Sequence, residues 1–120
     1  MERNGKIKKR ILVEFGMGSS LRHNDYTRAS ARAVKDALWH NSINAAEVLG
    51  FNKADMLLDV TIGVQKPELV DVEFVRKIFP YGVANIKAVK GGLDISKEHV
   101  SEVTIIANAG IEVSFDMERN

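Results

Sequence analysis

Val103-Thr104-Ile105-Ile106-Ala107-Asn108-Ala109-Gly110-Ile111-Glu112-Val113-Ser114-Phe115-Asp116 is the stretch on which the fold turns. Every second residue from Val103 to Phe115 is apolar, and Thr104, Asn108, Glu112, Ser114 and Asp116 alternate with them. Successive side chains of a strand point to opposite faces. Seven in-phase apolar positions therefore predict a long antiparallel strand with one dry face and one wet face.

The same reading extends upstream. Leu58, Val60, Ile62 and Val64 alternate with Leu57, Asp59 and Thr61, which predicts a half-buried strand over 56–64, ended by Pro67. Another strand is predicted over 83–90, ending at Gly91-Gly92, and a first one over 7–15. In that first strand Ile11, Val13 and Phe15 share one face and Leu12 takes the other. Between strands the period changes. Ala29, Ala33, Val34, Ala37 and Leu38 fall at helical spacing, with Arg28, Arg32, Lys35 and Asp36 on the wet side. Asp25 is the N-cap of this helix, which is expected to reach residue 40. Residues 41–54 read as a connection with a helical turn at 45–49, stopped by Gly50. Asp71 caps a second helix to residue 79, with Val72, Val75, Ile78 and Phe79 inward, and Pro80-Tyr81-Gly82 breaks it.

The predicted order is β-α-β-α-β-β. It gives one α+β domain over 1–120: a two-layer sandwich of a four-stranded, mostly antiparallel sheet with two helices on one face. Met-Glu-Arg-Asn occurs at both ends, and the tails at 1–5 and 117–120 are expected to be disordered. The outer sheet face mixes Ile106 and Leu57 with small polar residues, so the expected partner is the chain itself, as a homo-oligomer.

Composition removes several function classes. Seventeen basic residues face sixteen acidic ones, and a net charge of +1 sets up no field for nucleic acid. The basic run Lys6-Ile7-Lys8-Lys9-Arg10 reads as a solvated strand start. The absence of cysteine excludes disulfides, thiolate nucleophiles and zinc-thiolate sites. The polar N-terminus is no signal peptide, and no apolar run approaches the ~20 residues of a membrane span. A cytoplasmic chain without membrane contact is expected.

The chemistry is expected in Phe15-Gly16-Met17-Gly18-Ser19-Ser20-Leu21-Arg22-His23-Asn24-Asp25, read as a turn between the first strand and the first helix. It is not a dinucleotide fingerprint, because Leu21 stands where the third glycine belongs. It is not a phosphate loop either, since no Gly-Lys-Ser/Thr follows. Two glycines and two serines remain, able to present amides and hydroxyls to an anion. Gly16, Gly18, Ser19, Ser20, Arg22 and His23 form the candidate ligand site, with Arg22 as the fork for a carboxylate. Ser19 or Ser20 would need a base to act as a nucleophile, and Lys66 is the candidate, with Lys87 and Lys90 behind it. His40 reads as a helix C-terminal cation and His99 as a solvated turn residue. Asp59 and Glu112 read as solvated carboxylates on the wet sheet face. No metal and no cofactor is expected.

Two resemblances follow from these residues. Residues 16–29, then Ala33-Val34-Lys35-Asp36-Ala37, Val64-Gln65-Lys66-Pro67-Glu68 and Gly91-Gly92-Leu93-Asp94, resemble a small uncharacterised bacterial family. Its N-terminal hallmark is Gly-x-Gly-x-Asp-x-His-Gly. The two glycines match Gly16 and Gly18, but the aspartate falls on Ser20, the histidine on Arg22 and the last glycine on His23. Gly18-Ser19-Ser20 and Val64-Gln65-Lys66-Pro67 are similar, more weakly, to one repeat unit of the ring-opening amidohydrolases, the cyanuric acid hydrolase and barbiturase group. That likeness implies a serine-lysine pair, with Lys66 one place off the expected position. The expected function is binding of a small anionic or cyclic amide-like molecule at an intersubunit site, with hydrolysis as its extension. The alternative is a non-catalytic regulatory or assembly protein.

Overall fold

The 103–115 alternation places its strand at the centre of the sheet. The computed structural model describes residues 2–3, 6–38 and 42–118, and of 2–3, 42–45 and 118 the backbone. The elements are β1 (Glu2–Arg3), β2 (Lys6–Ser20), α1 (Tyr26–Leu38), α2 (Ser42–Leu49), β3 (Leu57–Val64), α3 (Val72–Arg76), β4 (Val83–Lys90), β5 (Leu93–Ser96) and β6 (Val103–Glu118). Short 3₁₀ turns lie at Lys53–Asp55 and Pro67–Leu69. The sheet order is β1-β2-β6-β3-β4, with β5 also on β6. All pairs are antiparallel except β3 with β4. A parallel pair needs a crossover, and α3 lies within it.

The expected α+β class and the four long strands are present, with α1 and α3 packed on the sheet. Two short strands are added. β5 follows the bend at Gly91-Gly92, and Gly92 sits at φ 60° with the Ile106 carbonyl 2.1 Å from where a Cβ would be. The expected tails carry strand where they are described: Glu2 and Arg3 pair with Ile7 and Lys6, and Met117 pairs with Ile7. The β2–β6 ladder simply continues past the ends of the other strands.

The first strand departs most from expectation. It does not stop at Phe15 but runs through both glycines to Ser20. Its phase is also inverted. A register shift between Arg10 and Leu12 inserts one residue, which moves every later side chain to the other face. Leu12, Glu14, Gly16, Gly18 and Ser20 therefore lie opposite Val113, Ile111, Ala109, Ala107 and Ile105 on the inner face. Val13, Phe15 and Met17 point outward.

The core lies between this inner face and α1. Ile105, Ile111, Val113, Phe115, Leu58 and Ile62 from the sheet meet Ala29, Ala33, Val34 and Ala37. Each fully buried large aliphatic side chain contributes ~1.5–3 kcal/mol. Phe51 closes one end by stacking on Phe115, with ring centroids 4.6 Å apart. Both helix caps form as read: Asp25 Oδ1 accepts from the Arg28 amide at 2.9 Å, and Asp71 Oδ1 from those of Glu73 and Phe74. α3 ends at Arg76, three residues short of expectation, before the break at Pro80. α1 ends at Leu38, and His40 lies outside the described residues.

Candidate functional site

The glycine block is where the sequence concentrates its unusual residues, and the fold uses its parts differently. Gly16 and Gly18 face α1. A Cβ on Gly16 would lie 2.2 Å from the Ala33 carbonyl, and one on Gly18 2.3 Å from the Ala33 amide nitrogen. The bare backbone is the seat of the helix. Ser19 points outward and its carbonyl accepts from the Arg32 guanidinium at 2.7 Å. Ser20 is buried and donates from Oγ to the Arg22 carbonyl at 3.0 Å. Arg22 and His23 are exposed on the turn, where His23 and Asn24 both adopt positive φ, 68° and 48°.

That turn is tied to the start of β6 rather than left free. The Asn24 side-chain oxygen accepts from the Val103 amide at 2.9 Å, and Glu102 accepts from the His23 amide at 3.4 Å. Lys97 donates to the Leu21 carbonyl at 2.9 Å. Lys66 is exposed, immediately before Pro67, and no hydrogen bond among the described residues joins it to Ser19 or Ser20. Lys87 and Lys90 sit on β4, at the far edge of the sheet from β2.

A second cluster beneath the turn escaped the sequence. Ser20 and Asp94 flank Ile105 from opposite sides, so both face inward. Tyr26, the first residue of α1, is buried and donates its hydroxyl to Asp94 Oδ2. Asp94 Oδ1 is buried without a hydrogen-bond partner. Burial pushes the Tyr26 phenol up to about 12, helped by the hydrogen bond and charge of Asp94 and by the charge of Glu68. Gln65 braces the same corner by donating to the Gly91 and Gly92 carbonyls at 3.0 and 3.1 Å. The one sequence signal for it was Gly91-Gly92-Leu93-Asp94, where a glycine bend delivers an acid.

The outer sheet face carries the third cluster. Asp59 and Glu112 are directly opposed across β3 and β6. Like charges in such a pair repel. Lys8 at 2.6 Å from Asp59 and Arg10 at 3.9 Å from Glu112 offset this. Asp59 and Glu112 line a shallow cavity of about 350 Å³ together with Thr61, Asn85 and Lys87. Further along the same face Phe15 is 72% exposed, Met17 59% and Leu93 57%. Among the described residues no group of three or more His, Asp or Glu could hold a metal ion, and no helix is long and apolar enough to cross a membrane.

A sequence model for conserved hypothetical proteins, described as Lin0512_fam, matches residues 10–113, from β2 to β6. The chain belongs to that family. A crystal structure of an FtsZ-like protein of unknown function from Nostoc punctiforme has the same fold, with a TM-score of 0.83 and 28% identity over 93% of this chain and 99% of that one. No curated protein matches. The expected kinship with a conserved family of unassigned function therefore stands. None of these matches supports the likeness to a ring-opening amidohydrolase repeat or the N-terminal hallmark.

Proposed function

We propose that this chain is a self-assembling protein whose outer sheet face is covered by a second copy. One observation carries the reading. Phe15 and Met17 stand 72% and 59% exposed on a sheet face with no helix over it among the described residues, and the apolar surface continues through Ile106 to Leu93 and Ile95. A sheet is a stable layer when its apolar face is covered.

The area fits. Strands about 50 Å long (β2, β6) and about 26 Å long (β3, β4), spaced about 4.8 Å apart, present roughly 750 Å². Each partner in a standard interface buries about 800 Å². The charges fit as well. A two-fold axis parallel to the strands lays the Phe15–Leu93 end on its own copy. It also lays the end bearing Lys8, Arg10, Asp59 and Glu112 on a surface carrying both signs.

The reading of a small anionic or cyclic amide-like ligand held by the 16–23 block, with Ser19, Ser20 or Lys66 as hydrolytic groups, draws less support. The bare faces of Gly16 and Gly18 are filled by α1, and Ser20 is buried on a backbone carbonyl. The test is sedimentation velocity at micromolar concentration. The native chain should run as more than one subunit. Phe15→Ser/Met17→Ser should run as a monomer with an unchanged circular dichroism spectrum. A native monomer, or assembly that survives both substitutions, overturns the reading.

A further inference from the structure

We propose that the groove between α1 and α3 binds a phosphorylated small molecule with a planar ring. The groove lies on the helix side of the molecule, so this inference does not depend on assembly through the opposite face.

The groove holds about 560 Å³, within the range of roughly 300–1,000 Å³ typical of small-molecule sites. Arg28, Arg32 and Lys35 line it. They stand four and three residues apart along α1, which puts them on one helical face. Phe74 forms the opposite wall with 54% of its surface exposed.

The groove also contains two carboxylates, and both are already engaged. Asp25 Oδ1 caps α1 through the Arg28 amide, and its Oδ2 stands 3.8 Å from the Arg28 guanidinium. Asp71 Oδ1 caps α3 through two amides at 3.1 and 3.2 Å. The cations are matched less well. Arg32 donates to the neutral Ser19 carbonyl. Neighbouring Asp36 is turned to the Met17 amide instead, at 2.9 Å. Lys35 has no ion pair among the described residues. The groove therefore carries three cations against two carboxylates, and neither Arg32 nor Lys35 is in an ion pair among the described residues.

The tie to Ser19 uses one arm of the Arg32 fork and holds the rest in place, so little side-chain freedom is lost on binding. A phosphate satisfies the fork and the ammonium together, and a planar ring stacks against Phe74. The wall opposite the cations is aromatic, which selects a ring-bearing phosphate over a bare one.

Calorimetry and thermal shift with ADP, inorganic pyrophosphate and adenosine test this. ADP should bind and raise the melting temperature, pyrophosphate should bind more weakly, and adenosine should give no shift. Arg32→Gln/Lys35→Gln should keep its unliganded circular dichroism spectrum and lose ADP affinity by about tenfold or more. Phe74→Ala should reduce ADP to the affinity of pyrophosphate and leave pyrophosphate unchanged. Absence of any ADP response at millimolar concentration, or undiminished binding to the double variant, overturns the proposal. Either result leaves the sedimentation test above untouched.

Discussion

A methyl group at position 18 would sit 2.3 Å from the Ala33 nitrogen and 2.5 Å from the Ala29 carbonyl oxygen. These are helix backbone atoms, which cannot move aside like the end of a flexible side chain. Gly18→Ala should therefore cost at least the ~1–3 kcal/mol of an overpacked core. Gly110 is the control, because nothing lies within 4 Å of its missing Cβ on the outer face. In the Phe15→Ser/Met17→Ser background, where that face is uncovered, Gly110→Ala should stay within ~0.5 kcal/mol in the same urea denaturation series. Equal costs would show that α1 does not rest on β2. Tyr26 gives the second residue-scale prediction. Its pKa is raised from 10.0 to about 12 in the folded chain. A raised folded value adds stability that is complete below pH 10 and is lost as pH climbs towards 12. Between those limits the native chain should lose stability with rising pH more steeply than Tyr26→Phe. At neutral pH Tyr26→Phe should be the less stable of the two by ~1–3 kcal/mol, because Asp94 loses its donor. Denaturation across the alkaline range checks both signs, and parallel curves would refute the coupling.

At the scale of the element, β2 is an edge strand for most of its length. β1 covers only Lys6 and Ile7, and from Lys8 onward that side carries no strand among the described residues. An open edge invites pairing with another chain. Two side chains of α1 plug it at its apolar end: Asp36 accepts from the Met17 amide at 2.9 Å, and Arg32 donates to the Ser19 carbonyl at 2.7 Å. The wet side of the helix thus guards the sheet, beyond keeping α1 soluble. Asp36→Ala should cost ~0.5–1.5 kcal/mol as a lost hydrogen bond. It should also raise light scattering on prolonged incubation, as large edge-paired species form. Scattering equal to the native chain would show that the edge needs no guard. The bulge at Arg10–Leu12 acts at this scale too. One extra residue puts Phe15 and Met17 on the outer face, and without it they would compete with Gly16 and Gly18 for the space under α1.

The whole molecule is long, with extents of 60 × 24 × 20 Å and a radius of gyration of 16.2 Å against about 14 Å for a compact chain of this length. The cause is the β2–β6 pair, whose strands of 15 and 16 residues outrun the eight-residue β3 and β4. Its central strand was legible because alternation has a period of two and is written in consecutive residues. The buried faces of β3 and α1 and the caps at Asp25 and Asp71 were legible for the same reason: each is decided within a few residues. The candidate site was less so. Gly16-x-Gly18 reads locally as a turn, and only the arrival of Ala29, Ala33 and Ala37 from another element makes it a strand that must lack side chains. The hydrogen bond between Tyr26 and Asp94 spans 68 residues, and no local pattern announces it. One inserted residue reverses the facing of half a strand without disturbing its composition. The sequence by itself therefore determined the α+β class, the central strand and the buried faces, through short-range periodicity and capping. The tertiary structure alone decided which face Phe15 and Met17 occupy, what the glycines are for and which charges meet, because those outcomes depend on register and close approach between segments far apart in the chain.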